Sequence, residues 1–320
     1  MIKLNNLLAH LMSVCDNVKL MHSHCVGVSG GSDSLALVLM LKELGYDPIA
    51  CLIDHRLHSL SSDELEKTKR TLDRHHIKHL SSIWEHSPIR TGVEEKAREA
   101  RYKLLFQMCR ESSIKQLCIA HHMDDQVETF FLNLIRGSGL DGLCAMPLVK
   151  NAGEVEVIRP LLSVRKSVLQ DYLIDHNINW IDDPSNVDTR ILRNKLRQIF
   201  GTMNDYDLIV NRISKTTEIL QSIKSTMDLY NENNFIKLVD IIDGIYHLNR
   251  NSYLDLTSTE MLSLLSMVLM RCSGSKYKGR LCDIERVVRW ISEPNHQKKR
   301  TLMQCVIHLT GDMITISAEK

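Results

Sequence analysis

Along residues 26–150, short apolar runs alternate with stretches whose apolar positions recur every three or four residues. The first run, Cys-Val-Gly-Val-Ser-Gly-Gly at 25–31, leads into a helix predicted from Asp33 to about Leu44, which Gly45 stops. The segment 47–55 reads as a strand. A helix then starts near Ser61, with capping-box spacing to Glu64. Residues 79–85 form a short strand candidate. The next helix opens at Thr91, with a second box to Glu94, and runs to about Glu111. Residues 116–121 read as a strand, and Asp124 to Arg136 as a helix ended by Gly137. Alternation of this kind predicts an α/β fold, a parallel sheet doubly wound by helices. Ligands of such sheets bind at the carboxyl ends of the strands.

Residues 155–162 and a helix after Ser163 extend this region, and a basic segment at 190–198 follows. Near residues 201–207 the alternation stops. Beyond it, 205–228 and 257–271 read as helices and 301–317 as a hairpin turning at Gly311-Asp312. The expected organisation is a nucleotide-binding type domain over 1–203 and a smaller, mostly helical domain over 204–320.

Composition adds limits. Apolar residues make up 43% and charged residues 25%, which is globular rather than disordered. The formal net charge is +1, so a nucleic-acid partner would need a local basic surface. Nine cysteines without a C-x-x-C pair read as reduced thiols of a cytoplasmic protein. The amphipathic N-terminus is no signal peptide, and residues 261–270 are too short to cross a bilayer, so no membrane partner is expected.

The sharpest local chemistry is Ser29-Gly30-Gly31-Ser32-Asp33-Ser34, between a strand and a helix. Two glycines let the backbone approach an anion, and the helix behind adds its positive end. Ser29, Ser32 and Ser34 supply hydroxyls. Asp33 beside a phosphate calls for a cation between them, which makes it a magnesium-ligand candidate. The spacing is not a Walker loop. Alone, the segment also reads as a serine-rich turn capping a helix. Asp54 and His55 end the second strand, where such sheets border a nucleoside, or are plain polar strand ends.

Further candidates come in clusters. Arg98 and Arg101 share a helical face, with Glu94 four residues before Arg98 as an ion-pair partner. Asp125 and Glu128 sit in the first turns of a helix, where its dipole alone favours carboxylates. They could also hold magnesium or orient an amine. His121, His122 and the aspartates could instead form a transition-metal site. Asp182 to Asn186 is turn chemistry. Arg190, Arg193 and Arg197 share a helical face, with Asn194 and Lys195 between them. That face suits solvent or, on an RNA-binding protein, a phosphate track.

Ser29–Ser34 resembles the pyrophosphate loop of N-type ATP pyrophosphatases. Six more segments resemble one branch of that superfamily, the tRNA(Ile)-lysidine synthases. They are Ala97 to Tyr102, His121 to Thr129, Arg136 to Leu143, Arg159-Pro160-Leu161-Leu162, Asp182 to Asn186, and Arg193-Asn194-Lys195-Leu196-Arg197. The resemblance covers about residues 26–200 closely. It is weaker beyond, where Arg300 to Cys305 lacks the family's paired glycines. It implies use of ATP with magnesium to adenylate the wobble cytidine of tRNA(Ile), then attack by free L-lysine with release of AMP. By the same resemblance, Ser29 to Ser34 and Asp54 bind ATP, and Asp33, Arg101, Asp125 and Glu128 act in catalysis. Arg190, Arg193, Asn194, Lys195 and Arg197 bind RNA, and residues 204–320 recognise the tRNA. Oligomeric state is left open, a homodimer included.

Overall fold

The apolar runs of the first 160 residues pair edge to edge, and the amphipathic stretches between them cover both faces. A computed structural model describes residues 4–56, 61–87, 92–182, 192–275, 278–293 and 298–319. Among the described residues, six strands form the first sheet: β1 (Ser23–Val28), β2 (Asp47–Asp54), β3 (Lys78–Ile83), β4 (Gln116–Ile119), β5 (Val149–Ala152) and β6 (Val155–Ile158). Their order is β3-β2-β1-β4-β6-β5, parallel except for the β5–β6 pair. The helices are α1 (Leu7–Asn17), α2 (Ser32–Glu43), α3 (Ser61–Arg74), α4 (Val93–Glu111), α5 (Met123–Ile135), α6 (Leu140–Leu143), α7 (Lys166–Asp175), α8 (Leu192–Gly201) and α9 (Tyr206–Leu238).

Strand alternation decides which side chain meets which helix. Val26, Val28, Ala50 and Leu52 pack with α1, α2 and α7, through Leu11, Leu37, Leu41 and Leu173. Cys25, Cys51, Leu117 and Val157 pack with Leu105, Met108 and Cys109 of α4. Every residue of α2 from Ser34 to Leu41 is buried, so the helix behind the glycine loop is apolar nearly all round. The chain runs outward from β1 through β2 to β3, then returns to β4 on the other side of β1. This reversal opens a crevice at the carboxyl ends of β1 and β4, where ligands of such sheets bind.

The chain divides into compact units at Met1–Gln221 and Ser222–Lys320. The division lies later than the change of texture near residue 204, because the start of α9 belongs to the first unit. Val210 is buried there with Met123, Val127, Leu196 and Phe200.

In the second unit, α10 (Arg250–Leu254), α11 (Ser258–Ser273) and α12 (Leu281–Ser292) accompany β7 (Val239–Ile242), β8 (Ile245–Asn249), β9 (Lys299–Leu302), β10 (Cys305–Thr310) and β11 (Met313–Ala318). The expected hairpin is β10–β11, turning at Gly311. It lies within an antiparallel sheet of order β7-β8-β11-β10-β9. Thr257 caps α11 in a box with Glu260. Ser61, where a box with Glu64 is expected, is the first residue of α3, and its hydroxyl donates to Asp54 (2.8 Å). Thr91 lies outside the described residues.

Candidate active site

The loop after β1 is held open by its own side chains. Ser29 N–H donates to Ser34 Oγ (3.1 Å), Ser34 Oγ donates to Gly31 O (3.1 Å), and Ile181 N–H donates to Gly30 O (3.0 Å). Gly30 has φ +86°, and a Cβ there would fall 2.4 Å from Thr68 Oγ1. Only glycine fits both the conformation and the space. The first-turn N–H groups of α2 have no intrahelical acceptor and bear the positive end of its dipole. The loop is therefore a built anion cradle at the head of a buried helix.

Asp33, in that first turn, faces two cations, His122 Nε2 and Lys166 Nζ, each 3.5 Å from its Oδ2. Burial opposes its charge, but these cations outweigh burial and hold the carboxyl below its usual range. His122 ends the β4 loop and is 2% exposed. Its Nε2 also lies 3.4 Å from Asp125 Oδ2, and its Nδ1 lies 3.6 Å from Asp124 Oδ2. Burial alone would discharge the ring. Three carboxylates outweigh it and push the pKa up to about 10. His122 N–H donates to Asp125 Oδ2 (3.1 Å), while Asp125 N–H lies 3.3 Å from Nδ1. An imidazolium has no lone pair to accept there, so with the ring charged this second half of the capping box is a contact only.

The histidine pair does not converge on a metal. His121 Nδ1 accepts from Arg159 Nε (3.2 Å), and burial pushes its pKa down to about 3, against the pull of Asp125. Among the described residues, no three His, Cys, Asp or Glu side chains are arranged to hold a metal ion. The ring of His122 occupies the centre of the acidic cluster itself.

Asp124 accepts from Arg165 Nε (3.1 Å), Lys166 N–H (2.9 Å) and Tyr206 Oη (3.2 Å). It thus fixes the start of α7. Asp54, 4% exposed, accepts from Arg56 N–H (2.9 Å), Ser61 Oγ (2.8 Å) and Ser62 Oγ (2.9 Å), which ties β2 to the start of α3. Glu128 accepts from Arg193 Nε (2.5 Å) and Arg197 Nε (2.6 Å), with Asp125 Oδ1 3.4 Å and 3.5 Å from the same two arginines. The face that Arg193 and Arg197 share on α8 is turned onto α5, with both side chains still partly exposed. Asn194 is buried and Lys195 is exposed. Arg101 is exposed on α4, and Arg98 lies over the Tyr102 ring (5.3 Å). Arg190 and Asp183 to Asn186 lie outside the described residues.

Lys166 and Arg165 are site residues that the sequence reading passed over. The signal was present: two cations at the head of a helix run against its dipole and need another reason to be there. An ATP triphosphate suits the cradle: a Cβ on Gly31 would meet only ordinary contacts, Ser29 Oγ at 3.6 Å and Ile181 O at 3.8 Å, and Lys166 Nζ lies beside Asp33 at the head of α2. A magnesium ion fits Asp33, an ionised oxygen donor with a quarter of its side chain exposed. Magnesium is commonly held by one or two carboxylates plus substrate phosphates.

A family profile described as a PP-loop domain matches residues 3–202. The fold and its glycine loop therefore define an ATP-binding PP-loop protein. The chain is 31% identical over 301 residues to the tRNA(Ile)-lysidine synthase of Wolbachia sp. subsp. Brugia malayi (strain TRS), covering 92% of this chain and 70% of that one. It is 36% identical over 219 residues to the tRNA(Ile)-lysidine synthase of Porphyromonas gingivalis (strain ATCC BAA-308 / W83), covering 64% and 47%. This chain belongs to the tRNA(Ile)-lysidine synthase family. Its fold is shared with the U34-tRNA thiolase NcsA from Methanococcus maripaludis, at TM-score 0.56 and 16% identity over 67% of this chain and 79% of that one.

Proposed function

We propose that this enzyme adenylates the wobble cytidine of the tRNA(Ile) CAU anticodon with ATP and joins free L-lysine to it. The observation that carries the reading is the anion cradle with Asp33 and Lys166 at the β1–β4 crevice, in a chain of this family. In the first step the cytosine O2 attacks the α-phosphorus, and the bond to the bridging oxygen breaks to release pyrophosphate. In the second, an amino group of lysine attacks C2, the C2–O bond breaks, AMP leaves, and the amine gives up a proton. No protein nucleophile is needed; positioning and charge stabilisation suffice.

In this reading the loop N–H groups and the hydroxyls of Ser29, Ser32 and Ser34 hold the phosphates. Asp33 holds magnesium, which would neutralise charge on the phosphates when bound. Lys166 moves from Asp33 to the departing pyrophosphate. Asp54 acts by fixing the adenosine side of the site, and Arg101 contacts ATP or substrate. Asp125 and Glu128 act through Arg193 and Arg197, whose side chains remain about one-third exposed (30% and 34%). Lys195 and Arg190 remain phosphate contacts. Residues beyond 203 recognise the tRNA. Among the described residues none of the nine cysteines forms a disulfide, which suits a reducing cytoplasm. Among the described residues, no helix is long and apolar enough to cross a membrane.

The deciding assay follows ATP conversion to AMP with lysine and tRNA, omitting each in turn. The reading requires AMP release to depend on lysine and the product to be a lysine-bearing tRNA. Release that ignores lysine refutes it.

Two variants probe the site further. Lys166→Ala should lower turnover about a hundredfold, as loss of one preorganised charge contact does, and Lys166→Arg should recover part of it. Unchanged kinetics would reduce Lys166 to a partner of Asp33. Cys51, Cys118 and Cys144 are buried, so serine at each should lower the melting temperature and leave turnover intact. A serine variant of normal melting temperature but no activity would point to thiolation chemistry instead.

A further inference from the structure

Arg193 and Arg197 are engaged by Glu128, which leaves Lys195 and Arg190 as the phosphate contacts of their segment and directs the search for further positive charge to the rest of the chain. Residues 1–221 carry 27 Lys and Arg against 28 Asp and Glu. Residues 276–300 carry eight against three, while the remainder of 222–320 carries five against eight. The basic excess of the second unit is thus confined to one segment, of which the structure places Arg286 and Arg289 on α12 and Lys298, Lys299 and Arg300 at β9.

Ile284, Val287, Val288 and Ile291 of α12 turn inward, which leaves Arg286 and Arg289 exposed. β9 is the edge of its sheet, paired only with β10 among the described residues. Lys298 extends that pairing, its carbonyl accepting from Leu309 N–H (2.9 Å). Lys298 and Lys299 are exposed, and with Arg300 they line an open hollow. Arg300 joins the two elements. Its guanidinium lies over the Trp290 ring (5.3 Å), and its Nη1 donates to Arg286 O (3.5 Å). This fixes the cations of β9 beside those of α12. Lysines on an edge strand also discourage pairing with other chains, but that purpose does not account for Arg286 and Arg289 on the helix.

We propose that the α12–β9 face of the second unit binds the sugar-phosphate backbone of the substrate RNA. The inference rests on the lysidine-synthase reading for the identity of that RNA. Phosphate contacts position a nucleic acid and carry no sequence information. The face therefore supplies affinity, not choice of base.

The test is tRNA binding by the full chain against salt concentration, for the wild type, Lys298→Ala/Lys299→Ala and Arg286→Ala/Arg289→Ala. Each phosphate contact contributes a slope of ~0.7–0.9 in the logarithm of the binding constant against that of salt. Each double variant should lower the slope by roughly 1.4–1.8, equally for cognate and non-cognate tRNA, with AMP formation at saturating tRNA unchanged. Wild-type slopes in both folded variants would overturn the proposal. So would an unchanged slope with self-association of the lysine variant, which would mark those lysines as edge guards. Failure of the lysidine reading would show separately, as AMP release independent of lysine, while the slopes would still decide the surface.

Discussion

Asp33→Ala is expected to slow AMP formation at least about a hundredfold while the protein stays folded and binds tRNA normally. The first unit supplies the reason. Asp33 is ionised by its position between His122 and Lys166, and it sits in the first turn of a helix whose N–H groups form the anion cradle. A carboxylate there would repel phosphate unless a cation intervened. Removing it takes away the oxygen that holds the cation and releases Lys166 from its partner. The effect on stability should be small, since a first-turn carboxylate on a helix contributes ~0.3–1 kcal/mol. His122 keeps Asp124 and Asp125 as partners. Asp33→Asn separates charge from shape, and should raise the magnesium concentration needed for half-maximal turnover. Near-normal AMP formation by folded Asp33→Ala would leave Asp33 as an ion-pair partner and nothing more.

Much of this site could be read from the chain because its signals are local. Gly30-Gly31 after an apolar run and before an apolar helix specifies a close backbone approach, and the structure places φ +86° there. Strand–helix alternation likewise implied the parallel sheet. Pairing across the sequence could not be read in the same way. Asp124 and Asp125 are adjacent, yet Asp124 reaches Arg165 and Tyr206, while Asp125 reaches Arg193 and Arg197. The helical spacing of Arg193 and Arg197 shows that they share a face, but not whether solvent or α5 lies opposite. In the second unit some legible signals went unread. Asp243-Gly244 between two apolar runs is a strong hairpin signal. Both residues adopt positive φ, 52° and 75°, in the turn between β7 and β8. Ile284, Val287, Val288 and Ile291 mark α12 by the same spacing that identified the earlier helices.

Changing Arg193 and Arg197 together to alanine should destabilise the first unit rather than weaken its hold on RNA. Glu128 is the centre of the arrangement. Its side chain is 3% exposed, and it accepts from Arg193 Nε at 2.5 Å and from Arg197 at 2.6 Å and 3.1 Å. Asp125, also buried, adds a second negative charge on the same two guanidinium groups. Without them two carboxylates remain in a place from which water is largely excluded. Breaking a fully buried pair costs ~3–5 kcal/mol and an exposed one ~0–1. The arginines are about one-third exposed, so an intermediate loss of roughly 2–3 kcal/mol is expected. For a unit of this size that is a fall of about 5–10 °C in Tm. The packing of Leu196 and Phe200 against Met123 and Val127 would remain to hold α8 on α5. Adding Glu128→Gln to the double variant should restore part of the stability, because it removes a charge that has lost its partners. A structural role elsewhere on α8 would gain nothing from that third change. The salt dependence of tRNA binding should stay at the wild-type slope in the double variant. If instead Tm is unchanged and the slope falls by roughly 1.4–1.8, the two arginines leave Glu128 in solution and track phosphates.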